Sequence, residues 1–187
     1  STFEKINTII KDKLEKENFK KVKILEFGVD KGISTALFLE LCNKKNGKLY
    51  SVDTIDYSKH FTDKNWKFIN CRDDDYMTIN KIVDFPVDII FLDTEHTAKH
   101  VEKIFFNYYK SLRKGGLFII DDISWLPYLK NKKRDNEWIE NNNKETFFKI
   151  IDILNSNIKN ITVEFSFQYS GLAIIKKITN TLNKNTK

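Results

Sequence analysis

Acidic side chains close the apolar runs of this chain again and again. Asp53 ends KLYSVD, Asp93 ends VDIIFLD and Asp121-Asp122 end LFIIDD, while Glu26 and Asp30 flank Gly28 in VKILEFGVDKGI. A lone Asp in such a place is an ordinary cap or turn former. Several acids converging on one edge of a sheet carry more, because ligands of open α/β sheets bind beyond the carboxyl ends of the strands. Asp53 follows Gly28 by about 25 residues, close to the spacing at which a strand-end carboxylate accepts from both hydroxyls of a ribose. His96 lies three residues past Asp93, and His96 and His100 share one helix face. With Asp93 they have a zinc-like spacing, but H-T-A-K-H lacks the catalytic glutamate of H-E-x-x-H, and zinc is set aside.

The turn at Gly28 narrows the ligand. A strand that passes through Gly28 and Gly32 into a helix brings backbone N–H groups toward whatever binds there. A dinucleotide site requires G-x-G-x-x-G, so that the second glycine lets a pyrophosphate approach the backbone. Here that second place is Asp30, whose charge and bulk both oppose a phosphate, and Glu26 adds a second carboxylate. Two acids beside a glycine turn suit a cationic ligand. S-adenosyl-L-methionine, with a sulfonium and an ammonium group, fits.

These residues need a scaffold of alternating strands and helices. Apolar residues at helical spacing (Phe3, Ile6, Ile9, Ile10, Leu14) predict an amphipathic N-terminal helix within residues 1–20, covering the sheet edge or the ligand pocket. Strands follow at 22–27, 48–53, 66–69, 87–92 and 117–120, and helices at 34–43, 75–83 and 98–112, with a turn at Lys114-Gly115-Gly116. Five such rounds argue a parallel sheet covered on both faces. A long polar stretch precedes a helix at 145–154, two late strands (161–167 and 171–176) read as an antiparallel hairpin, and residues 178–187 read as a polar tail that frays. No repeat or internal boundary divides residues 1–187, so one domain is expected.

Composition excludes several classes. With 41% hydrophobic and 31% charged residues, the chain is an ordinary globular sequence, and its apolar runs are far too short for a bilayer. The N-terminal residues lack the apolar core of a signal peptide, and the isolated Cys42 and Cys71 fit neither a disulfide framework nor a thiolate metal site. The expectation is a reduced, cytoplasmic setting with no membrane partner. A net charge of +6 invites nucleic acid, but the lysines are scattered with no aromatic-basic ladder, so nucleic acid is not the expected partner. Whether the chain forms a homo-oligomer is left open.

Strand-E-F-G-x-x-x-G followed by a strand ending in Asp53 resembles the first two motifs of class I S-adenosylmethionine-dependent methyltransferases. The segment Phe91–Ile123 is similar to a subgroup of metal-dependent small-molecule (sugar- and macrolide-type) O-methyltransferases, with the pattern strand-D-x-x-H-x-x-x-x-V, helix, L-x-x-G-G, strand ending D-D. The resemblance implies a Rossmann-like, doubly wound seven-stranded sheet, mostly parallel, of order 3-2-1-4-5-7-6 with strand seven antiparallel. It implies that Glu26, Gly28 and Gly32 line the methionine end of the cofactor, that Asp53 binds the ribose and that Asp73 meets the adenine amino group. It implies Mg²⁺ at Asp93, Asp121 and Asp122, and His96 as general base beside Asp93. Residues 124–144 would overhang the acceptor, with Trp125, Tyr128 and Trp138 available to stack on it and Lys130, Lys132, Lys133 and Arg134 to meet a phosphate. The implied activity is O-methylation of a small-molecule hydroxyl, such as that of a sugar or glycan precursor. The competing readings are a non-catalytic cofactor- or partner-binding domain of the same fold, and a nucleic-acid methyltransferase. Against the latter, the fourth strand ends in Asp93-Thr94-Glu95-His96 where amino methyltransferases carry N/D-P-P-Y/F.

Overall fold

The structure, a computed structural model, describes residues 2–126 and 136–184, with side chains from Thr8 onward. Its elements run α1 (Thr2–Lys16), β1 (Lys23–Phe27), α2 (Ile33–Lys44), β2 (Lys48–Asp53), β3 (Trp66–Asn70), α3 (Tyr76–Ile82), β4 (Val87–Leu92), α4 (Ala98–Tyr108), β5 (Leu112–Asp121), α5 (Glu137–Ser156), β6 (Ile161–Ser166) and β7 (Leu172–Lys177). One seven-stranded sheet has the order β3-β2-β1-β4-β5-β7-β6, as the resemblance implies. The first five strands pair in parallel, and β7 runs antiparallel to both β5 and β6.

Alternation along the strands sorts the core into two layers. Leu25 and Phe27 of β1, Ile90 and Leu92 of β4, and Phe118 and Ile120 of β5 face one side, where α3, α4 and α5 cover them with Ile79, Ile104, Phe105, Ile150 and Ile153. Ile24, Ile89, Phe91, Leu117 and Ile119 face the other, under Ile10 and Leu14 of α1 and Phe38, Leu39 and Cys42 of α2. With both faces buried, β4 reads as an unbroken apolar run save for Asp88. The N-terminal helix thus covers a sheet face beside α2. The ligand end of the sheet is left to other segments.

Three boundaries differ from the expected ones, each for a local reason. β5 begins at Leu112, and Lys114-Gly115-Gly116 forms a bulge inside it: Val87 pairs with Leu112 but Ile89 with Leu117, and Gly115 takes φ +78°. α4 correspondingly stops at Tyr108 and tightens into a 3₁₀ turn over Tyr109–Ser111. α5 starts at Glu137, eight residues before its expected start, because the Asn136 side chain accepts from the Ile139 N–H at 2.9 Å. Residues 137–144 of the expected overhang are therefore helix. Tyr128, Lys130, Lys132, Lys133 and Arg134 lie outside the described residues.

Up to residue 184 the tail is tied to the body of the domain. The Asn157 amide donates to the carbonyls of Ile153 and Asn183 (both 2.9 Å), its Oδ1 accepts from the Asn183 N–H at 2.6 Å, and Leu182 packs on the core. Tyr109 Oη donates to the Thr179 carbonyl at 2.7 Å. Asn157 is 1% exposed, so replacing it leaves buried backbone groups without partners. Asn157→Ala should lower unfolding free energy by about 2 kcal/mol in urea titration, whereas a surface Asn→Ala change should cost about 0.5 kcal/mol or less.

Candidate active site

The carboxyl ends of β1, β2, β4 and β5 and the loop after β3 enclose a cavity of about 740 Å³. Six aspartates (30, 53, 73, 93, 121 and 122) and Glu95 reach its wall, against Lys31 and Arg72 as the fixed cations. Such a wall repels polyphosphates and attracts cations.

Gly28 sets the geometry at the centre. Its N–H donates to the Val52 carbonyl at 3.0 Å, and the Asp93 N–H donates to the Phe27 carbonyl at 2.9 Å. The Asp93 backbone passes so near that a Cβ at residue 28, which has φ +94°, would overlap the Asp93 carbonyl oxygen. The turn residue Asp30 also has positive φ (44°), a conformation Asp tolerates better than most non-glycine residues. The backbone shape expected of a glycine is kept here with a carboxylate added.

The N–H groups expected to cradle the ligand are largely spent inside the protein. Besides Gly28, the Gly32 N–H donates to the Val29 carbonyl at 2.8 Å and the Val29 N–H to Asp53 Oδ2 at 2.9 Å. Gly32 is not on the cavity wall. It starts α2 at φ +73°, and a Cβ there would come within 2.8 Å of the Phe61 ring. Asp53 is on the wall, oriented by Val29 and by the Ile55 N–H on Oδ1 at 3.0 Å; both oxygens keep lone pairs for a diol.

Glu26 likewise stands behind the wall. It is fully buried and accepts from Ser34 Oγ at 2.6 Å, Thr35 Oγ1 at 2.8 Å and Ser51 Oγ at 2.6 Å, with Trp66 Nε1 donating on to Ser51 at 3.0 Å. The side chain points toward the first turn of α2, and Ser34, held by it, is what reaches the cavity. Burial pushes the Glu26 carboxyl up to about 7; the three hydroxyls pull it down and nearby Asp53 adds a further upward push.

At the β4 and β5 ends, Asp93, His96 and Asp122 bring one potential ligand atom each within 4.8 Å of one another. His96 Nε2 is 3.2 Å from Asp122 Oδ2 and 3.6 Å from Asp93 Oδ1, and all three side chains are half-buried. Asp93 is raised to about 7, chiefly by burial and then by the charge of Asp122. Asp121, the third expected ligand, lines the same cavity but is not one of this group of three. The chain turns at Asp122 (φ 58°), and Asp121 Oδ1 accepts instead from Ser170 Oγ at 2.8 Å and from the Asp122 N–H at 2.7 Å. Its own carboxyl is pushed well up, by burial first and then by Asp93 and Asp122. Two crowded carboxylates and an imidazole fit a divalent cation, which would relieve the repulsion between the acids.

On the far wall, Thr94 joins two residues already named from the sequence. Asp73 accepts at Oδ2 from His100 Nε2 at 2.7 Å and from Thr94 Oγ1. The sequence offers His100 only as a zinc ligand; the structure places it against Asp73, away from the Asp93–His96–Asp122 group. On the acceptor side, Trp125 is committed to an aromatic cluster with Phe147, Phe148 and Phe167 at centroid distances of 5.1–5.9 Å, whereas Trp138 is exposed.

Fold and site together define a class I methyltransferase scaffold, a Rossmann-like sheet with an acid-lined cavity at its strand ends. The chain matches the model of a methyltransferase domain family over residues 25–123, just over half its length, and it belongs to that family. Among solved structures it is similar to the MycE methyltransferase of the mycinamycin biosynthetic pathway in complex with Mg and SAH (20% identity, TM-score 0.64, covering 94% of this chain and 48% of that one). It is also similar to a Staphylococcus aureus protein described as a caffeoyl-CoA O-methyltransferase (19%, TM-score 0.69, 92% and 82% covered). A Clostridium thermocellum protein described as an rRNA-methylase is a third (16%, TM-score 0.64, 95% and 98% covered). At these identities the likeness is one of fold. The chain spans about half the length of MycE. No curated protein sequence matches it. No helix among the described residues is long and apolar enough to cross a membrane.

The Glu26 shift has a consequence for stability. A carboxyl raised in the folded state holds a proton that the unfolded chain gives up, so its contribution is fully present below the unfolded value near 4.5 and is lost as pH rises toward about 7. In urea titrations at pH 4.5 and pH 7.5, wild type should lose stability relative to Glu26→Gln by on the order of 3 kcal/mol. A constant difference between the two proteins across that window would show that Glu26 is not raised in the folded state.

Proposed function

We propose that the chain is the catalytic domain of an S-adenosylmethionine-dependent O-methyltransferase that acts on a hydroxyl of a small molecule with help from Mg²⁺. The observation that carries the acceptor chemistry is His96 Nε2 between Asp93 and Asp122 on the wall of the cavity. The cofactor supplies an electrophilic methyl group on a sulfonium, and the acid-lined wall attracts that charge.

Asp53 and Asp73 are both on the cavity wall, where Asp53 would accept from the ribose hydroxyls and Asp73 from the adenine amino group. Asp93 and Asp122 would hold Mg²⁺, which supplies Lewis acidity that lowers the pKa of a neighbouring hydroxyl. Carboxylate oxygens suit that ion better than an imidazole does, which leaves His96 for the proton. His96 Nε2 accepts the proton of the acceptor hydroxyl as the methyl carbon is transferred, and positioning of the two reactants supplies much of the acceleration. A sugar or glycan precursor is the acceptor class we favour, by likeness to MycE, whose complex contains mycinamycin VI. The acid-rich wall disfavours an RNA acceptor, whose phosphates would have to approach it.

The test is formation of S-adenosylhomocysteine over a panel of sugars, nucleotide sugars and catechols. Turnover should fall on addition of EDTA and in Asp122→Ala, and His96→Gln should cost about 10²-fold at saturating Mg²⁺. Turnover indifferent to EDTA and to Asp122→Ala would remove the metal from the mechanism. An undiminished His96→Gln rate would remove the base, and binding of the cofactor with no turnover on any acceptor would favour a non-catalytic domain.

A further inference from the structure

The pairing of Asp73 with His100 has no part in the acceptor chemistry above. Both side chains are only 7% exposed, and His100 Nε2 lies 2.7 Å from Asp73 Oδ2. Thr94 Oγ1 donates to that same oxygen. Tyr108, fully buried two turns along α4 from His100, donates its hydroxyl to the Asp73 backbone carbonyl at 2.8 Å. Main chain and side chain of Asp73 are therefore both gripped by the segment that follows β4. The grip is one-sided. The side-chain bonds converge on Oδ2, while Asp73 itself forms part of the cavity wall.

We infer that His100 is a positioning residue for recognition of the cofactor's base. By holding Oδ2, it and Thr94 fix the carboxylate plane so that Oδ1 is presented to the cavity as an acceptor for one donor. Among the parts of S-adenosylmethionine, the ribose is matched by Asp53 on β2, so the donor beside Asp73, in the loop after β3, is the exocyclic amino group of adenine. A histidine facing the carboxylate through Nε2 carries its proton there, and a bond to an ionised acceptor is stronger and better oriented than one between neutral groups. Among the described residues, His100 Nδ1 faces Glu95 Oε2 at 3.7 Å, too far to compete for the ring's orientation. Without His100, the carboxylate can rotate about its own side-chain bonds and loses its preference for an amino over an oxo group.

This rests on the methyltransferase reading, and the test separates the two. Dissociation constants are measured for wild type, His100→Ala, His100→Gln and Thr94→Val with S-adenosylhomocysteine and with S-inosylhomocysteine, whose 6-oxo group replaces the 6-amino group. Wild type should prefer the adenosyl ligand. His100→Ala and Thr94→Val should each weaken it by about tenfold while changing the inosyl ligand about twofold or less, so that the preference collapses. His100→Gln, which can place an amide N–H near Oδ2, should recover most of it. Equal weakening of both ligands in His100→Ala and Thr94→Val would show a merely structural pair and overturn the inference, as would unchanged affinities. If wild type binds neither ligand, the cofactor reading itself fails and this one falls with it.

Discussion

The site depends on a backbone approach between two neighbouring strands. At the carboxyl end of β1, the Gly28 N–H bonds to β2 and the Phe27 carbonyl accepts from the residue that ends β4. Only a residue without a Cβ allows the Asp93 carbonyl to pass there. This contact brings the residues after three adjacent strands into one small space: Asp30 past β1, Asp53 at the end of β2 and Asp93 at the end of β4. The two-layer core serves that junction by holding the three strands in parallel register. A substitution at Gly28 would displace the acid that the proposed chemistry needs, because that acid's own backbone is what the new side chain would meet.

The price of the arrangement is electrostatic. Burial and mutual repulsion push Glu26 and Asp93 up to about 7 and Asp121 well above its ordinary value. Hydrogen bonds offset part of this: three hydroxyls on Glu26, Ser170 and a backbone N–H on Asp121. The remainder is an unfavourable concentration of negative charge that a cationic ligand would relieve. Under the proposed function, the same acids would give the cavity its affinity for a sulfonium and for a divalent ion. The α4 segment connects the two functions, since its approach carries Asp93 and His96 while Thr94, His100 and Tyr108 grip the loop after β3.

Much of the fold was legible in the sequence, because buried parallel strands are short apolar runs ended by Asp or Gly and these were unmistakable. The antiparallel hairpin followed from the short connection between the last two strands, and the strand order from family resemblance. Boundaries set by a side chain or a bulge were harder: the Asn136 cap lengthened α5 through a polar stretch, and Gly115 continued a strand where two glycines suggested a turn. The tail looked polar enough to fray, but its order depends on Asn157, whose partner is 26 residues away. In the site, strand-end acids could be named from position alone. Which way each one points could not. Glu26 turned inward to three hydroxyls, Asp121 turned to Ser170 on the far hairpin, and His100 met Asp73 across 27 residues. These are long-range pairings with no periodic signature.

The strand-end cavity should select a cationic nucleoside over a polyphosphate one. Isothermal titration of the chain with S-adenosylmethionine and, separately, with NAD addresses it most directly. The account predicts saturable binding of S-adenosylmethionine at one site per chain and no measurable heat with NAD. Binding of NAD, or no binding of S-adenosylmethionine, would contradict it.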